Sequence, residues 1–436
     1  MTESAVLRRM TRVALAAALG WLTLAEPASA QLLGGLPGGL GIPGGLPSLP
    51  APLLKAPSLT AADDVARQAL GQIRIRRLQA LVREHPAELE VDDRDAPVLR
   101  GQVLALSPRP ESLAAAQAQG YAVLSRAGLA ELGLDLVVLR APVGVNAREA
   151  VRRLRRLDPA GRYDFNHIYT EVGAAAPGAS PSLTPVGAGE VRLGLVDGGV
   201  DASHPALHAA RIEQRAFAPG GLNPTRHGLA VASLLVGTDG RFRDAAPGAR
   251  LFVADVYGTT AAGGSAEAVA RALAWMAEKQ APVINVSLVG PPNLAVQAAV
   301  AVLIGRGHLI VAAVGNDGPA APPLYPASYP GVIAVTAVDG AGRPLPEAGR
   351  AAHLDFAARG ADMIAATPGG GFAAVRGTSF AAPVVARQLA RRLSAPDRSA
   401  AARAVAAVAR EAQDLGAHGP DRVYGRGLVG GDLASR

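Results

Sequence analysis

The chain has 436 residues, 49% of them apolar and only 4% aromatic, with a formal net charge of +7. That length favours two or three domains with cores of Ala, Val and Leu, and the composition excludes a wholly disordered chain and a multi-span membrane protein. Cysteine is absent, which removes disulfides, thiol catalysis and Cys-based zinc sites.

The positive balance is almost all arginine, since Lys55 and Lys279 are the only lysines. The clusters Arg74, Arg76, Arg77 and Arg152, Arg153, Arg155, Arg156 fall on expected amphipathic helices without interleaved aromatics. No nucleic-acid partner is expected from them.

In chain order, Arg8, Arg9 and Arg12 precede an apolar run from Val13 to Leu24, and Ala28-Ser29-Ala30 supplies small residues for signal peptidase. This three-part layout predicts a secretory signal over 1–30, cut after Ala30. The run is too short for a stable membrane span, so an exported protein, periplasmic or extracellular, is expected. Residues 31–58 are dense in Gly and Pro and read as a linker.

Residues 59–172 form a first folded region. A helix is predicted around Asp63–Arg83, then a strand Val98–Leu106 and a helix Glu111–Gln119 closed by Gly120. Strands Tyr121–Ser125 and Leu134–Leu139 follow. The helix Ala147–Leu157 places Ala150, Val151, Leu154 and Leu157 on one face, and Tyr163–Tyr169 ends the region as a strand. The order β-α-β-β-α-β is that of a ferredoxin-like α+β domain. Residues 173–187 read as a second linker.

Residues 188–436 alternate apolar runs with helices. Strands are predicted at Val191–Val196, Leu251–Val256, Val283–Leu288, Leu309–Val314 and Val332–Val338, with helices at Gly228–Leu235, Ser265–Lys279 (N-capped by Ser265) and Asn293–Ile304. Continuous apolar runs mean strands covered on both faces, so the fold class is α/β, a doubly wound and mainly parallel sheet. Active residues then gather at the carboxyl ends of the strands.

Asp197 stands at the first such end, where a carboxylate is costly unless paired. His227 opens an apolar helix beside Gly228. His204 and His208 are nearby alternatives, expected in the loop after Asp197 and not at an element start. Ser379 follows Gly377 at a helix N-terminus, where unpaired N–H groups favour developing negative charge, and Pro383 is expected within the first helical turn. Asn316 follows a buried strand and can donate its amide to an oxyanion. Each residue alone has an ordinary structural reading as a turn or cap. Together they give Asp, His, Ser in one of the known chain orders of a serine-hydrolase triad.

Here the sequence resembles the subtilisin-like serine proteases. The resemblance covers roughly residues 188–430. It is carried by Gly377-Thr378-Ser379 with Ala381 and Pro383, by the stretch Tyr325–Val335, and by Val423–Leu428. It implies that Asp197 supports His227, that His227 is the general base for Ser379, and that Asn316 shares the oxyanion with the Ser379 N–H. It implies that Ser287, Leu288, Val289 and Gly290 bind substrate backbone, with Ala313, Val314 and Gly315 opposite. It also implies that residues 59–172 are a propeptide inhibiting the cleft intramolecularly, with its last strand feeding into the active site and the chain processing itself. Protein or peptide substrates and no organic cofactor follow. A structural calcium is common in the family, but no loop commits to one, and Asp355 and Asp362 read as surface or turn residues. Three positions depart from the pattern: Leu229, Gly198 and Val289, the last of which should narrow the cleft. The alternative is a catalytically silent exported protein that binds peptides or partners.

Overall fold

Strands apolar on every residue must be buried on both faces, and that requirement organises the molecule. A computed structural model describes residues 73–171, 174–176, 191–238 and 248–430. The expected signal, the Gly/Pro segment and most of the second linker lie outside them.

The N-terminal part begins with a helix over residues 73–84 (α1). There follow β1 (Leu89–Val91), β2 (Pro97–Leu106), α2 (Pro110–Ala118), β3 (Ala122–Leu129), β4 (Leu134–Arg140), α3 (Ala147–Leu157) and β5 (Tyr163–His167). The strands make one antiparallel sheet, with β5 and β4 flanking β2 and β3 beyond β4. This is the ferredoxin-like arrangement. One face holds the buried Ala147, Ala150, Val151 and Leu154 of α3. Leu157, expected on that face, is exposed because the helix ends there. The expected strand Tyr163–Tyr169 ends two residues early, at His167, and β6 (Thr170–Glu171), just beyond it, leaves this sheet altogether.

After β7 (Ala174–Ala176) come β8 (Arg192–Asp197), β9 (Arg211–Ala216), α4 (Arg226–Val236), β10 (Arg250–Asp255), α5 (Ala266–Glu278), β11 (Val283–Val286) and β12 (Leu288–Val289). The chain continues through α6 (Leu294–Gly305), β13 (Leu309–Ala313), β14 (Ile333–Val338), β15 (Phe356–Arg359), β16 (Met363–Thr367), β17 (Gly371–Arg376), α7 (Thr378–Ala390), α8 (Arg398–Glu411) and β18 (Leu428–Val429). Eight of these strands form one sheet in the order β18-β15-β14-β13-β11-β8-β10-β9, parallel at every pairing. Alternation splits the core. Leu193, Leu195 and Val253 face α4 and α7, whereas Val196, Phe252 and Ala254 face α5. The second layer also takes Leu104, Leu106, Leu136 and Val138, so the N-terminal sheet packs its other face on the helices of the parallel sheet.

Polar groups fix that docking at two helix starts. Ser265 caps α5 as expected, accepting from Ala268 N at 3.2 Å, and Asn166 Oδ1 of the N-terminal sheet accepts from Glu267 N at 3.1 Å. Asp164 Oδ2 accepts from Leu294 N at 2.8 Å, at the start of α6. A carboxylate there satisfies an orphan donor and suits the helix dipole. Asp164→Ala should therefore cost the intact chain about 1 kcal/mol, read as a lower urea midpoint. An unchanged midpoint would show that the cap contributes nothing.

Candidate active site

β8 delivers Asp197 into a fully buried position. Its Oδ1 accepts from Gly198 N at 2.7 Å and pairs with His227 Nδ1 at 2.9 Å. Its Oδ2 is buried without a hydrogen-bond partner among the described residues. Asp255, level with it on β10, takes backbone N–H groups from Asn223 at 2.6 Å, Tyr257 at 3.0 Å and Gly258 at 3.1 Å. Of two adjacent buried carboxylates, Asp255 organises loops and Asp197 holds a histidine.

The position of His227 depends on three small contacts. Thr225 caps α4 by accepting from Gly228 N at 2.9 Å. A Cβ on Gly228 would lie 2.5 Å from Gly198 O and 2.8 Å from Gly199 O, so only glycine lets the helix approach the loop after β8. A Cβ on Gly198 would lie 2.3 Å from Thr225 Oγ1. The departure at Gly198 thus makes room for Thr225. Leu229 is simply core. His204, expected away from any element start, caps the short turn Pro205–Leu207 by accepting from Ala206 N at 3.2 Å, and its Nε2 faces Gly371 O at 3.1 Å. His208 Nε2 faces Ser203 O at 2.7 Å. Both have structural partners outside the Asp197 cluster.

Gly377, at φ 137°, turns the chain into α7, and Ser379 is the second residue of that helix. Ser379 is fully buried, and its neighbour Phe380 stacks 5.6 Å from the His227 ring. Its Oγ lies 3.4 Å from Ser287 O. Pro383, expected in the first turn, lies inside the helix. Its missing N–H leaves the carbonyl four residues earlier, that of Ser379, without its helical donor. Ser287 Oγ donates to this oxygen at 3.1 Å, and is itself fixed by Asn285 Nδ2 at 2.9 Å.

Asn316 Oδ1 accepts from Thr378 N at 2.9 Å and Thr378 Oγ1 at 3.0 Å. Thr378 Oγ1 accepts from Gly315 N at 3.2 Å. The carboxamide oxygen is committed to the start of α7, so the amino group is the part of the side chain left to donate. Asp197, His227, Ser379 and Asn316 thus sit on the carboxyl ends of β8 and β13 and the starts of α4 and α7.

Along the cleft, β12 already carries a strand. Leu288 pairs with Glu171 and Val289 with Thr170, antiparallel. Downstream, β7 pairs antiparallel with β17, which leads into Gly377. Gly290 exchanges bonds with Tyr325 and would clash at 2.6 Å with the buried Tyr169 ring if it bore a Cβ. Val289 packs on Leu324, and both lie against Gly315, where a Cβ would be 3.7 Å from Val289 Cγ1. The side chain of Ala313, expected on the cleft wall, belongs instead to the core under α7.

Glu171 was not foreseen. Its carboxylate, Asp197 and His227 bring ligand-type atoms within 4.8 Å of one another, the one such trio of candidate metal ligands among the described residues. Two of its members are already bonded to each other, so it is a charge cluster more than a cage. Burial pushes the Glu171 carboxyl up, Asp197 pushes it further, and His227, Thr225 and Arg77 of α1 oppose. Arg74 of the same helix pairs with Asp317, beside Asn316, at 2.5 Å. Only the proximity of Thr225 to His227 in sequence could have signalled any of this.

A model described as the subtilase family matches residues 188–427. Subtilisin E of Bacillus subtilis is 30% identical over 256 residues, 55% of this chain. That alignment spans 66% of subtilisin E, a little under two thirds of its length. Subtilisin Savinase of Lederbergia lenta is 32% identical over 204 residues, 45% of this chain and 73% of its own. Fervidolysin of Fervidobacterium pennivorans, a keratinolytic enzyme related to subtilisin, has a similar fold with TM-score 0.65 at 21% identity, over 80% of this chain and 63% of its own.

Gly198→Ala tests the packing that positions His227. It should displace Thr225, uncap α4 and cost about 1–2 kcal/mol, seen as a lower melting temperature. Full stability would show that Thr225 does not need the space.

Proposed function

The chain belongs to the subtilase family, and from that premise we propose that it is an exported serine endopeptidase made with its own inhibitory N-terminal region. The observation that carries the reading is the strand Thr170–Glu171, laid along Leu288–Val289 where a substrate would lie, beside the bonded pair Asp197 and His227.

In this mechanism His227, its Nδ1–H held by Asp197, takes the proton of Ser379 as Oγ attacks the carbonyl carbon. The resulting oxyanion is met by the amino group of Asn316 and the N–H of Ser379, aimed by the start of α7. The tetrahedral intermediate collapses as His227 gives its proton to the leaving amine. Water then repeats the cycle on the acyl-enzyme. No cofactor enters.

The chain itself is the first substrate. β6 and β7 lie on either side of Ser379's helix start, so the cut falls between Glu171 and Ala174. The N-terminal region then stays in place as an inhibitor, held by Asp164 and Asn166 at two helix starts. Export rests on the layout of residues 1–30, and no helix among the described residues is long and apolar enough to cross a membrane. A silent peptide-binding protein would not need Asp197, His227, Ser379 and Asn316 together, which favours catalysis.

Ser379→Ala should abolish processing and lower kcat on casein by about 10⁴–10⁶, the size known for subtilisin itself. Asn316→Ala should cost about 10²–10³, again the magnitude seen in a subtilisin. Processing and turnover unchanged by Ser379→Ala would refute the mechanism. N-terminal sequencing of the processed enzyme should begin at residue 172, 173 or 174, and a start elsewhere would refute the threading.

A further inference from the structure

The protease reading leaves open what the cleft selects, and the surroundings of Glu171 answer part of that. We propose that Thr225, Tyr257 and Asp197 Oδ2 form a specificity subsite, opened by Gly198, that selects a Gln or Glu side chain at the substrate position Glu171 occupies. This rests on the reading of the chain as a protease.

Two buried polar atoms near Glu171 have no hydrogen-bond partner among the described residues: the Tyr257 hydroxyl and Asp197 Oδ2. Leaving buried polar groups unpaired is costly, and filling the space with an apolar side chain would keep them so. The phenol can donate or accept, whereas the carboxylate oxygen only accepts. The side chain that complements both carries an acceptor and a donor at one end. A carboxamide does, and so does a protonated carboxyl.

The reach is right. The carboxylate of Glu171 is already within 4.8 Å of the Asp197 and His227 atoms. The nearby Thr225 hydroxyl favours its ionised form. That hydroxyl can stand there because residue 198 lacks a Cβ, which would lie 2.3 Å from Thr225 Oγ1. The Tyr257 phenol feels the same neighbour: burial pushes it up, then Glu171 and Asp197, against Arg77, with Asp255 adding.

Glu and Gln are not equivalent guests. Burial and then Asp197 raise the Glu171 carboxyl, while His227, Thr225 and Arg77 lower it. A group raised on binding contributes its full affinity below its free pKa and loses it as pH climbs through the raised value. Glu should thus be accepted best in acid, and Gln at all pH. Arg77 lies on α1 and would not accompany a separate peptide.

The test uses peptides copying residues 166–178 with Glu, Gln or Leu at position 171, cleaved by the processed enzyme from acid to neutral pH. At neutral pH, kcat/KM for Gln should exceed that for Leu by about tenfold or more. The Glu-to-Gln ratio should fall as pH rises. Tyr257→Phe should lower the Gln-to-Leu ratio severalfold. A second readout needs no turnover: in the full Ser379→Ala chain, Glu171→Gln should melt higher than Glu171→Leu. Equal rates for Leu and Gln, or a Leu variant that melts highest, would overturn the subsite. If no peptide were cut while the melting order held, the protease reading would fall and the subsite would stand.

Discussion

A carboxylate buried without water costs several kcal/mol unless it is paired, and the hydrogen bond from His227 to Asp197 at 2.9 Å is the pairing around which this molecule is arranged. Asp255 at the end of β10 is satisfied by loop N–H groups, whereas Asp197 at the end of β8 takes its side-chain donor from a helix. α4 brings that donor because Gly228 lets its first turn press on the carbonyls of Gly198 and Gly199. Gly198 in turn makes space for the Thr225 cap. Removing the histidine would cost the buried carboxylate a charge-assisted hydrogen bond, a loss of about 1.5–3 kcal/mol. The Asp197–His227 pair is therefore also a structural joint, and its geometry is held by backbone contacts that tolerate no Cβ.

The second organising feature is that the N-terminal region lays β6 along β12. β5 anchors the N-terminal sheet by capping α5 and α6. From there β6 runs onto β12, so the same docking that orients the sheet also aims Glu171 at the charged centre. α1 adds a contact from another side through Arg74 and Asp317. Under the proposed function, folding, inhibition and first cleavage share one set of contacts. Glu171 is the weak link in that set, since its charge faces Asp197.

Much of this was legible in the sequence. Continuous apolar runs pointed to five of the eight parallel strands to within a residue or two, because burial on both faces forces that pattern. Ser265 and the helix Ala147–Leu157 were readable from cap chemistry and amphipathic spacing. Asp197, His227 and Ser379 stood out only jointly, through their order and through Gly377. What stayed hidden has physical reasons. β9 reads RIEQRA and lies at the sheet edge, so it carries no apolar run. β16 and β17 pair through a hairpin outside the main sheet. The break between Tyr163–His167 and β6 depends on a partner strand far away in sequence. Glu171 and Tyr257 carry no local signal, since their meaning arises only where two regions touch.

The most direct test is covalent. A fluorophosphonate reacts with a serine only where a base and an oxyanion pocket activate it. Tryptic mass mapping of the labelled wild-type chain should place the adduct on Ser379, and His227→Ala should lose it. Labelling at another residue, or equal labelling of the His227→Ala chain, would contradict the account.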